Sequence, residues 1–78
     1  MAKENNNEIE KTAVDKKHFM EVINGKGYSV NKLGKIPGVA YSSSSISRAL
    51  DKGEMRTDVL KRIAKEIHTT FKNLTKLS

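Results

Sequence analysis

The sequence predicts an all-α fold, a compact bundle of about five short helices, and three observations predict it. Apolar residues recur at helical spacing in successive stretches, above all Leu60, Ile63, Ala64 and Ile67 at i, i+3, i+4 and i+7. Hydroxyl residues (Ser29, Ser42, Thr70) stand ahead of such stretches, where a helix start needs a side-chain acceptor for its free amides. No segment alternates polar and apolar residues as a half-buried strand does.

The elements follow in order. Met1–Lys11 (MAKENNNEIEK) has no apolar period and a lone Ile9, too little to offset the entropy of ordering, so residues 1–11 are expected to be a disordered tail. The domain is expected over residues 12–78. Thr12 and Asp15 stand in a capping-box arrangement ahead of Phe19, Val22 and Ile23, and Asn24-Gly25-Lys26-Gly27 ends that first helix. Ser29 caps a second helix, with Tyr28 placed to staple onto Leu33 and Pro37 to stop it after about two turns. Gly34 costs that helix roughly 1 kcal/mol relative to alanine, which suits a place where another helix crosses closely.

The third helix opens in the serine run. Ser42 is its expected N-cap, and Ile46, Ala49 and Leu50 form an inward stripe. A serine run alone reads as a linker; this one continues without a break into an apolar helical stripe. After Lys52-Gly53-Glu54, Arg56 or Thr57 opens the fourth helix, and His68 marks its end. Thr70 caps a last short helix carrying Phe71, Leu74 and Leu77.

Charge narrows the partners. Residues 1–12 hold 2 basic and 3 acidic groups, whereas residues 13–78 hold 13 basic and 6 acidic ones. A small basic domain with 5% aromatic residues favours a polyanion, nucleic acid before a membrane surface, against the plain alternative of a solvated basic exterior. With no Cys there is neither a disulfide framework nor a thiolate metal site. No apolar run approaches the roughly 20 residues of a membrane span. A soluble intracellular protein is the natural expectation.

The stripe at Ile46, Ala49 and Leu50 turns Ser43, Ser44, Ser47 and Arg48 outward and close together. Small hydroxyls let a helix approach closely, and an arginine can make a forked pair of hydrogen bonds. The major groove of duplex DNA is a channel that rewards this combination.

Three passages then carry a family resemblance: Gly27-Tyr28-Ser29 followed by Leu33-Gly34; Ser42–Arg48 (SSSSISR), similar to a common S-x-S-T-I-S-R run; and Ile63–Leu74 (IAKEIHTTFKNL), similar to IAKALGVSLDEL. Together they resemble the helix-turn-helix domain of the Cro and lambda-repressor group, the xenobiotic-response-element-type regulators of phages, plasmids and bacteria. Two departures stand out. Ile46 lies thirteen positions after Leu33, where the family has about eleven, and His68 stands where a glycine is usual.

The resemblance implies a small transcriptional regulator, a Cro-like repressor in the cytoplasm and on the nucleoid, with its recognition helix in the major groove. Ser43, Ser44, Ser47 and Arg48 would read bases. Asn31 and Lys32 match the family's phosphate-binding positions, with Ser45, Lys52 and Arg56 as candidates on the other side. Tyr41 has two readings, core packing or a phosphate contact. The resemblance also suggests a homodimer on a two-fold operator, to which Phe71, Leu74 and Leu77 could contribute an apolar strip if they exceed what the core needs. Lys61, Arg62 and Lys65 read as a solvated helix face.

Catalysis finds no support. His18 and His68 are the only imidazoles, and no metal-ligand spacing, nucleophile elbow or glycine-rich phosphate loop occurs. No enzyme, cofactor or metal is expected. The competing expectation is a small phage- or plasmid-type interaction protein, an antirepressor or modulator, that uses the same scaffold to bind a protein.

Overall fold

The computed structural model describes residues 10–77, which form five helices and a two-stranded ribbon. The order is β1 (Lys11–Ala13), α1 (Lys16–Gly25), α2 (Val30–Gly34), α3 (Ser43–Lys52), β2 (Glu54–Arg56), α4 (Thr57–Glu66) and α5 (Phe71–Leu74). The fold is thus mostly helical rather than all-α. The expected leader falls outside the described residues up to residue 9, and its end is structured: Lys11 opens β1, and the Glu10 carbonyl accepts the Thr57 amide at 2.9 Å.

β1 and β2 pair antiparallel with Thr12 opposite Met55, which turns Met55 into the core at 1% exposure and leaves Glu54 outside. Three-residue strands are too short to display alternation, so no sequence period could announce them. The pairing also resets the start of α1. Thr12 is a strand residue whose hydroxyl meets that of Thr57 at 2.7 Å, and Asp15 itself is the N-cap, accepting the Lys17 amide at 3.1 Å. Val14, buried beside the ribbon, anchors the link by bonding the Gly53 carbonyl at 2.9 Å.

α1 buries Phe19 and Ile23, one turn apart, and α2 buries Leu33 under its Ser29 cap. α2 ends at Gly34, before Pro37 can stop it, so it is shorter than expected. The close approach anticipated at Gly34 is present: a Cβ there would lie 2.6 Å from the Ser43 amide nitrogen. The loop from Lys35 to Ser42 is more than a lengthened turn. Val39 is fully buried, Tyr41 packs half-buried on the core, and the Arg62 Nε donates to the Val39 carbonyl at 3.0 Å. Arg62 is therefore a fastener of that loop and not merely part of a solvated face.

α3 begins as the serine pattern implies. Ser42 accepts the Ser45 amide at 3.2 Å, and Ile46, Ala49 and Leu50 face inward. Gly53 closes it in the left-handed conformation, φ 82°, which costs glycine little. α4 contributes Val59, Leu60, Ile63 and Ala64 to the core, with Ile67 at its C-cap. His68 then takes a left-handed φ of 61°, a backbone conformation that glycine adopts at less cost.

α5 is short and capped by Thr70, whose hydroxyl accepts the Asn73 amide at 3.0 Å. Its Leu74 is fully buried and His18 Nε2 lies 2.8 Å from the Asn73 carbonyl, clasping α1 to α5. Leu74 consequently belongs to the core and cannot form part of an external strip. Phe71 is half-buried against the core under the Lys61 ammonium, and Leu77 is 58% exposed.

Candidate nucleic-acid interface

α3 has three faces once its inward stripe is set. The flank toward α2 carries Ser43 and Ser47, the opposite flank carries Ser45 and Lys52, and Ser44 and Arg48 point away from the core between them. On the first flank a shallow groove is lined by Val30, Asn31, Ser43, Ser44, Ser47 and Arg48. All four residues expected to read bases therefore meet in one place, joined by Asn31 from α2. Ser44, Ser47, Arg48 and Asn31 are exposed, while Ser43 is half-buried because its backbone presses on Gly34.

The remaining expected phosphate contacts divide. Lys32 is exposed but sits back toward the α1–α2 turn, with its Nζ 3.3 Å from the Gly27 carbonyl, and it does not line the groove. Ser45, Lys52 and Arg56 line a second cleft, between the far flank of α3 and the ribbon. Ser45 is half-buried and accepts a hydrogen bond from the Ser42 hydroxyl at 2.9 Å, so its oxygen already serves the cap. Arg48 lines both hollows. It stands on the ridge between them.

Two charged residues near this surface escaped the sequence reading. Lys11 reaches the second cleft from β1, where it pairs loosely with Glu54 at 3.9 Å. Nothing local signals this, because the strand that places it pairs with residues more than forty positions later. Lys16, at the start of α1, bonds Asp51 on α3 at 2.8 Å. Asp51 is the acidic residue of α3, and the Lys16 ammonium offsets a charge that would repel a polyanion.

Arg56 is already engaged. Its Nε and Nη2 donate to Asp58 at 3.1 and 2.9 Å, and Arg62 Nη1 lies 3.5 Å from the same carboxylate. The Arg56 hydrogen bond holds the Asp58 carboxyl below the usual carboxylate range. Partial desolvation opposes it, while the Arg56 charge, the Val59 amide and the Arg62 charge reinforce it. Because the folded value lies below the unfolded one, about 3.9, the stabilisation is present above that pH and is lost as pH falls through the lowered value. Both side chains are over one-third exposed, so solvent screening keeps the contribution below about 1 kcal/mol. Asp58→Asn should lower the melting temperature slightly at neutral pH, with the gap closing as the pH falls below the usual carboxylate range. A gap that stays constant through the acid range would contradict the ion pair's role.

Among the described residues no group of three or more His, Asp or Glu side chains could hold a metal ion, and no helix is long and apolar enough to cross a membrane. No family model, curated protein or solved structure matches the chain.

Proposed function

We propose that this protein is a sequence-specific double-stranded DNA-binding regulator of the Cro and lambda-repressor type, with α2 and α3 as its helix-turn-helix and α3 in the major groove. One observation supports this above the others. The outward face of α3 gathers Ser43, Ser44, Ser47 and Arg48 with Asn31 around a single groove, and its one carboxylate is paired with Lys16. Short hydroxyls and an arginine there match the donors and acceptors of base edges, with Asn31 available to a phosphate oxygen.

Hydroxyls satisfy several bases, so each subunit should be only modestly selective, with Arg48 on a guanine as the main reader. A homodimer on half-sites about one helical turn apart remains part of the proposal. Its apolar contribution narrows to Leu77 and the outer edge of Phe71, since Leu74 lies inside.

The test is binding of the folded protein to random duplex DNA across a salt series. Micromolar affinity at low salt that falls steeply as salt rises is expected. No binding below about 50 mM salt would overturn the DNA reading and leave the protein-binding modulator in its place.

A further inference from the structure

Resting on the DNA-binding reading, we infer that the cleft between α3 and the β1–β2 ribbon is a phosphodiester site for the same duplex. Lys11, Lys52 and Arg56 form its cationic walls, and Glu54 restrains its affinity. An α-helix with its side chains is about 10–12 Å across, and the major groove is about 12 Å wide. A helix seated in that groove therefore has one sugar-phosphate strand along each flank. Asn31 and the start of α2 border one flank. The second strand has to run past the other, where the ribbon stands.

The composition of that cleft fits such a neighbour. Its lining includes four cations, Lys11, Arg48, Lys52 and Arg56, against one carboxylate, Glu54. The cations come from β1, α3 and β2, so three elements around the cleft each contribute positive charge. A phosphodiester strand running between α3 and the ribbon would meet all three. Arg48 connects the cleft to the base-reading groove, so both can engage one ligand at once.

The cations are also available. Lys11 and Glu54 are each about half exposed at 3.9 Å, a separation at which little holds the lysine back from a stronger acceptor. Arg56 spends its Nε–H and one Nη2–H on Asp58, and a guanidinium has five N–H donors. Three donors remain. Asp58 then acts to hold the fork in one orientation while leaving its far edge open to a phosphate oxygen.

The experiment measures duplex affinity against salt for the full chain and for Lys11→Gln and Glu54→Gln, with melting curves to verify folding. Removing one phosphate contact should reduce the salt slope of Lys11→Gln by about 1 and weaken binding several-fold at low salt. Glu54→Gln should bind more tightly than the parent with its slope undiminished. Opposite changes in two exposed partners of the same ion pair cannot come from loss of ribbon stability, which both variants would share. If the parent binds duplex and Lys11→Gln keeps its slope, the phosphodiester site is wrong and the DNA reading stands. If the parent does not bind duplex, the DNA reading itself fails.

A second arm separates the sources of phosphate. Inorganic phosphate should compete with duplex no better than chloride at equal ionic strength. Competition well beyond chloride that vanishes in Lys11→Gln would assign the cleft to a free anion and overturn the inference.

Discussion

Arg48→Ala is expected to erase most of the sequence preference while leaving salt-dependent binding to random duplex largely in place. Arg48 stands on the ridge of α3 between two hollows, exposed and with no ion-pair partner among the described residues. Its fork is therefore uncommitted among the described residues. Two parallel hydrogen bonds to a guanine discriminate by roughly 1–3 kcal/mol, whereas a serine hydroxyl accepts several bases. Selection from a random duplex library by parent and variant measures the difference directly. The parent should enrich a motif containing a guanine, and the variant should enrich weakly or not at all. An unchanged motif would mean that Arg48 is a phosphate contact and that the serines, or the shape of the DNA, carry the selection.

Gly34→Ala should be the most damaging of the small substitutions. Alanine gains roughly 1 kcal/mol of helix propensity over glycine. Against that gain, the new Cβ would lie 2.6 Å from the Ser43 nitrogen and 2.8 Å from the Ser43 Cβ. These are atoms at the very start of α3, not the tip of a flexible side chain, so α2 and α3 have to separate. Overpacking of this kind costs about 1–3 kcal/mol, a large share of the margin of a domain this small. Gly25→Ala is the matched control, since a Cβ there meets nothing within 4 Å. Thermal or urea unfolding should show Gly25→Ala unchanged or stabilised and Gly34→Ala destabilised by more than about 1 kcal/mol. Duplex affinity should fall in the second variant alone, because the groove between α2 and α3 widens. Stabilisation of both variants would show that the helices do not meet at Gly34 as tightly as described.

The features legible in the sequence were those set by neighbours along the chain. Ser29, Ser42 and Thr70 each cap the helix they precede, and the inward stripe of α3 is the one its spacing implies. A cap is chemistry over three residues and a stripe is geometry over two turns, so both can be read locally. The clustering of Ser43, Ser44, Ser47 and Arg48 follows from that stripe. Lys11, Val39 and Arg62 were not legible for one common reason. Each takes its role from a distant partner: Lys11 across the ribbon from Arg56, and Val39 and Arg62 through a bond spanning twenty-three residues. Arg62 did offer a partial signal, since Asp58 lies four residues before it at salt-bridge spacing. Leu74 illustrates the opposite limit. Its period placed it on an apolar face, but only the packing of α5 on α4 and α1 reveals that the face is already covered.

The ribbon also gives the protein a schedule. β1 leaves the ribosome first, yet its partner β2 begins only at Glu54, so at roughly 5–20 residues per second the first strand waits for seconds before it can pair. α2 and α3 follow one another closely and can meet during that interval. The hollow beside α2 is consequently assembled early from sequential helices. The one beside the ribbon is completed only when the two ends of a long segment close, and Met55 stays uncovered by β1 until they do.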